Sequence, residues 1–313
     1  NTSNVTDMYG MFLNCGLRTL RSLELGDKFD TSKVKNMRLM FSDCGRYVLN
    51  TLDLGDKFDT SNVTDTSVMF SYAGQSTLKH LDLGDKFDTS NVTRMEGMFA
   101  NQYAIEELDL GDKFDTSNVT RMESMFLGLG RDSMKHLDLG DKFDTSNVTW
   151  MENMFKNCGY NEMTELDLGD KFDTSNARYM SGMFEACGYM KLEKLDLGEL
   201  FDTGGCITFS RMFKACGHES LKLLDLGDKF TVSKIQYGGE MFSDLPNIKS
   251  INFGMINLEM NEYPDREDWL GLSGINKNLD TCKVYGEWSQ KYAIEKLNWN
   301  VKNWIIAKEQ YYT

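Results

Sequence analysis

Carboxylates recur in this chain at one fixed position and a nearly fixed interval. Asp53, Asp82, Asp109, Asp138, Asp167, Asp196 and Asp225 each stand between two leucines, with Glu24 before them and Asn252 after. If those leucines lie on stacked strands, the carboxylates form one outward-pointing column at about 4.8 Å spacing. Three readings suit such a column. Calcium takes several carboxylate oxygens at once, an acidic ridge beside varied side chains can recognise a ligand, and a plain solvated face keeps a sheet soluble. The positions beside the column do vary: Lys79 and His80, Glu106 and Glu107, Lys135 and His136, Thr164 and Glu165, Glu193 and Lys194. No EF-hand loop or Gly-Gly-x-Gly-x-Asp pattern accompanies them, so no metal is assigned. The candidate ligand-binding set is Asp82, Asp109, Asp138, Asp167 and Asp196 with His80, Glu107, His136 and Glu165.

Other reactive side chains are sparse. The histidines are His80, His136 and His218; the first two share a column, and none has a nucleophile partner by motif. No enzyme activity and no cofactor are expected. Cys15, Cys44, Cys158, Cys187 and Cys216 each follow a repeated Phe by three residues, and Cys206 takes the place of a repeated Val. Cys-x-x-Cys is absent, so the cysteines read as small buried side chains rather than zinc ligands or redox pairs.

The elements that must position these residues come from a repeat. The Phe of Leu-Asp-Leu-Gly-Asp-Lys-Phe-Asp-Thr-Ser falls at 29, 58, 87, 114, 143, 172, 201 and 230, a period of 29 residues shortened once to 27. A Met-Phe pair keeps the same beat from Phe12 to Phe242. Periods of this size mark solenoids, in which each unit buries its apolar face only against its neighbours.

Within one unit, Leu78, Leu81 and Leu83 have the spacing of a leucine-rich-repeat strand, with His80 and Asp82 on the opposite face. Gly84 predicts a turn, and Phe87 plugs inward. Asp88, Thr89 or Ser90 is then expected to cap a short helix whose buried side carries Val92, Met95, Met98 and Phe99. The expected fold is an α/β solenoid, a leucine-rich-repeat-like coil with one parallel sheet face and short helices opposite. It spans residues 1–254 in about nine coils with the first truncated, and residues 255–313 form a capping segment. In that segment Thr281–Tyr285 and Trp299–Ile306 read as strands and Glu287–Leu297 as a short helix.

The net charge of −14 argues against nucleic acid and anionic membrane surfaces as partners. No apolar run is long enough to span a bilayer. Thr2 to Thr6 matches the middle of a unit, so the chain is expected to begin partway through a coil, as a piece of something longer or a processed product. The Asn-Val-Thr triplets are formal glycosylation acceptors that arise from the repeat itself and are not read as glycan sites.

The unit Leu-x-x-Leu-Asp-Leu-Gly-x-x-Phe-Asp-Thr-Ser-Asn-Val-Thr-x-Met-x-x-Met-Phe-x-x-Cys resembles the BspA-like leucine-rich repeat surface proteins. More narrowly it is similar to the DUF285, or mycoplasma lipoprotein-associated, repeats, over residues 1 to about 253. The resemblance implies a right-handed solenoid displayed on a bacterial cell surface or secreted. It further implies adhesion to a host or neighbouring-cell protein or glycan, with no shared catalytic residue. A structural spacer that presents another domain is the alternative.

Overall fold

Every second amide from Leu39 to Asp43 points along the stack instead of back into its own turn. Leu39, Phe41 and Asp43 donate to the carbonyls of Ser67, Met69 and Ser71 in the following coil at 3.0, 2.8 and 2.9 Å. The amides between them close tight turns: Met40 onto Met37 O at 3.1 Å, Ser42 onto Leu39 O at 3.1 Å, and Cys44 onto Phe41 O at 3.0 Å. Leu39 and Asp43 sit third in their turns with φ of +61° and +57°, the left-handed conformation a type II turn requires there. The equivalent residues are left-handed in the other coils too, from Gly10 and Asn14 to Glu240 and Asp244.

The short helices expected opposite the sheet therefore do not form. A helix sends each amide four residues back and keeps φ negative throughout. Here alternate amides bond to the next coil, and left-handed residues interrupt any helical run. The computed structural model is a parallel β-solenoid of about nine turns, without α-helix among the described residues. It describes residues 2–232, 234, 236–256, 270–285 and 299–307.

Each coil contributes one strand of three residues: β1 (Ser22–Glu24), β2 (Thr51–Asp53), β3 (His80–Asp82), β4 (Glu107–Asp109), β5 (His136–Asp138), β6 (Glu165–Asp167), β7 (Lys194–Asp196), β8 (Leu223–Asp225) and β9 (Ser250–Asn252). Pairing is parallel within β1–β2, β3–β4, β5–β6 and β7–β8–β9. A second parallel ladder of single bridges runs without interruption through Asp7, Asn36, Asp65, Arg94, Arg121, Trp150, Tyr179, Thr208 and Tyr237. β10 (Asn278–Tyr285) pairs with β9, and β11 (Asn300–Ala307) pairs with β10, all parallel. Leu279, Cys282, Val284 and Trp299 are buried there against the last coil. The expected helix at Glu287–Leu297 lies outside the described residues.

The core is a set of columns. Met-Phe rings from Phe12 to Phe242 stack on their equivalents at 5.4–5.9 Å. The other Phe column tilts against them, as Phe143 does on Phe126 at 6.0 Å. The repeated Val and Met positions from Val34 to Met241 are buried beside these rings. Cys44, Cys158, Cys187, Cys206, Cys216 and Cys282 are buried free thiols, and Cys15 is exposed. Burial pushes the Cys44 thiol up to about 12, which keeps it protonated and inert.

The expected helix cap also takes another form. Asp88 Oδ1 accepts the Ser90 amide at 2.9 Å, closing a local turn. Thr89 is fully buried and donates its hydroxyl to the Asp115 carbonyl one coil ahead at 2.7 Å. The same hydroxyl link joins Thr31 to Asp59, Thr60 to Asp88, Thr116 to Asp144, Thr145 to Asp173, Thr174 to Asp202 and Thr203 to Thr231. Asn91 bonds backwards, its side-chain amide donating to Ser61 O at 2.7 Å. These buried threonine hydroxyls thus find partners between coils, while buried amides divide between their own turn and the next coil, as desolvated polar groups require.

Candidate functional site

Three-residue strands set the acidic column. In β5 only Leu137 faces the core, while His136 and Asp138 face solvent, and β3, β4, β6 and β7 repeat that pattern. The Asp138 carboxylate accepts the Gly140 amide at 2.8 Å. The same bond is made by Asp53, Asp82, Asp109, Asp167, Asp196 and Asp225 to the glycine two residues on, at 2.8–3.1 Å. Gly140 has φ of +75°, a conformation glycine adopts without penalty. The column is thus an array of Asx turns that end each strand, and that local need accounts for its regularity.

Strand register decides which candidates come together. His80 stands beside Glu107, and Asp82 beside Asp109. His136 pairs in register with Glu165, its Nδ1 3.4 Å from Glu165 Oε2, and Asp138 with Asp167. Asp196 stands beside Asp225, and its second oxygen meets Lys194 Nζ at 2.9 Å. That hydrogen bond from Lys194, with the Gly198 amide, holds the Asp196 carboxyl below the usual aspartate range. Next to the set, Lys79 bonds Glu106 at 2.7 Å and lowers its pKa. Hydrogen-bonded pairing groups the nine candidates as β3–β4, β5–β6 and β7, and it lapses between the neighbouring strands β4 and β5 and between β6 and β7.

At the first of these breaks lies a depression of about 750 Å³ edged by Asp109, Asp112, Asp138, Asp141 and Lys142. Asp112, Asp141 and Lys142 belong to the turn after each strand and lie outside the candidate set. Among the described residues no group of three His, Cys, Asp or Glu side chains is placed to hold a metal.

Other surface features lie outside the candidate set. Tyr160, Tyr189 and His218 stack at 4.5 and 4.8 Å, and the Arg131 guanidinium lies 5.4 Å from both Tyr103 and Tyr160. In the bridge ladder, Trp150 stacks on Tyr179 at 5.3 Å beneath Arg121. The signal for the first stack was the residue after the repeated glycine in Gly159-Tyr160, Gly188-Tyr189 and Gly217-His218. His218 is thus far from the strand histidines and bonds through Nδ1 to Asp244 O at 2.9 Å.

No curated protein matches this chain, and no solved structure does. The family model described as "Mycoplasma protein of unknown function, DUF285" matches it in overlapping stretches, at residues 1–81, 50–132, 73–187 and 131–253. Those stretches cover the coils whose strands, turn ladder and Asx turns have just been described, and this chain belongs to the DUF285 family.

Proposed function

We propose that this repeat solenoid is the binding rod of a bacterial adhesin, displayed on the cell surface or secreted. Its sheet face would receive a protein or glycan of a host or neighbouring cell. One observation carries the reading. The first position of each strand changes from coil to coil, as Ser22, Thr51, His80, Glu107, His136, Glu165, Lys194, Leu223 and Ser250, while the positions that build the coil hardly change. From Ser22 to Lys194 that row is solvent-exposed, beside the acidic column. A row that the fold leaves free to vary, held rigid at strand spacing, is where recognition can be written without disturbing packing. The reading assigns no catalytic role to any residue.

The test separates charge from fold. Asp138→Asn, Asp167→Asn and Asp196→Asn together keep an oxygen for each glycine amide while removing three charges. Combined with His136→Ala and Glu165→Ala, they are expected to reduce binding of the full chain to immobilised extracellular-matrix proteins at least tenfold. Binding equal to that of the unaltered chain would reject this face. A spacer role is favoured by the unbroken Phe stacking from Phe12 to Phe242, which suits a stiff stalk. In that case the chain binds none of the matrix proteins or glycans tested.

A further inference from the structure

The turn-ladder side of the solenoid carries a groove of about 390 Å³ that reaches across coils between Asn153 and Glu240. Its walls are Asn153, Ser181, Ser210, Lys156, Glu185 and Arg211, with glycines at 182 and 239 and Glu240 at one end; among the described residues no apolar side chain lines it. The Asn153 carboxamide and the Ser181 and Ser210 hydroxyls have no side-chain hydrogen-bond partner among the described residues. The charged groups are fixed in pairs: Lys156 on Glu185 at 2.9 Å, Arg211 on Glu240 at 3.3 Å, and Lys214 on Glu240 at 2.5 Å.

The same columns are closed nearer the amino terminus. There Ser67 bonds Glu96 at 2.6 Å, and Arg94 and Arg121 bind Glu96 at 2.7 and 3.0 Å. These contacts also show that residues two apart on this ladder stand side by side. By that rule Tyr179 lies beside Ser181, and Tyr237 beside Gly239. Tyr237 is 62% exposed. Tyr179 is half-buried and stacked on Trp150 through one ring face.

We propose that this groove is a saccharide-binding site, distinct from the sheet face. Sugar hydroxyls both donate and accept, and the groove offers an amide, two hydroxyls, carboxylates and cations within one cleft. Sugar C–H faces pack on exposed aromatic rings, and Tyr237 presents one beside Gly239. A peptide held by apolar anchors finds no pocket here, since such contacts centre on buried aromatic and aliphatic groups. The volume falls within the range of small-molecule sites.

Gly239 supplies a clean block. A Cβ built there meets nothing within 4 Å, so Gly239→Leu adds bulk at the groove wall without a clash at Cβ. The full chain is applied to an oligosaccharide array, and maltohexaose, chitohexaose and a hyaluronan hexasaccharide are titrated in solution. The unaltered chain is expected to bind at least one saccharide. Gly239→Leu, and separately Ser181→Ala with Ser210→Ala, are expected to weaken that binding at least tenfold, while His136→Ala with Glu165→Ala leaves it unchanged. The serine pair removes two surface hydroxyls only, so its result stands even if the leucine variant folds poorly. A silent array, or binding that survives the serine variant, overturns the proposal and leaves the sheet-face reading untouched.

Discussion

Asn252 Oδ1 accepts the Gly254 amide at 3.1 Å, the bond that Asp225 makes to Gly227 at 2.9 Å one coil earlier. An uncharged amide therefore closes the same turn that a carboxylate closes elsewhere. Asp138→Asn is accordingly expected to leave the denaturation midpoint nearly unchanged. Asp138→Ala leaves the Gly140 amide to water and should cost about 1 kcal/mol, the worth of one ordinary hydrogen bond. Urea titration of both variants reads the difference.

Val68 holds a φ of +61°, a conformation that costs an L-residue about 1–2 kcal/mol and a β-branched one more. Val68→Gly is expected to raise stability by about 0.5–1 kcal/mol, after glycine's own entropy is subtracted. In a helix the same change would lose roughly 0.3–0.5 kcal/mol, because valine is itself a weak helix former. The sign of the shift in thermal midpoint thus separates the turn ladder from a helix.

Phe126 is fully buried and lies between Phe99 at 5.9 Å and Phe155 at 5.5 Å, with Phe143 tilted against it at 6.0 Å. Phe126→Ala removes a ring from the middle of a column that neither neighbour can refill. A loss of about 3–5 kcal/mol is expected from denaturant unfolding. The terminal Phe12, only partly buried, should cost less when truncated in the same way.

Acid weakens the ion pairs of the turn ladder. Burial acts to raise the Glu96 carboxyl, but hydrogen bonds from Arg94 and Ser67 outweigh it, and the folded pKa lies below 4.5. Glu240 is lowered by Lys214 and then Arg211. A depressed carboxyl contributes stability above its unfolded pKa and loses it as pH falls through the folded one. Stability should therefore decline below about pH 4.5, the ordinary glutamate value, and Glu96→Gln should flatten that decline. Thermal midpoints measured from pH 6 to 3 give both slopes.

The repeat period and the buried columns were legible because every coil had to solve the same packing problem with Leu, Val, Met and Phe. Met37, Met40, Phe41 and Cys44 misled at the next level. Spacings of three and four residues suit a helical face, yet turns closed three residues apart place the same side chains inward. The distinguishing signal was polar and small: Gly10, Gly97 and Gly182 before the second Met, and Asn14, Asp43, Asn101 and Asn157 two residues after the Met-Phe Phe. These are residues that tolerate left-handed backbone, and a helix has no use for them there. For the candidate site, the exposure of His80, Glu107, His136 and Glu165 followed from strand alternation. The bond from Asp138 to Gly140 is a property of the turn and left no trace in the spacing of charges. The saccharide groove depends on which coils lack a side chain beside Ser181 and Ser210, which only the stacked geometry brings into one place.

The threonine hydroxyls that reach from Thr31 to Asp59 and from Thr174 to Asp202 tie each coil to the next along the axis of the stack. Under tension the rod yields one ring at a time, because a ring is held only by its two neighbours. Each release of 29 residues pays out about 100 Å of extended chain. The rod would thus extend in steps rather than break as a brittle link.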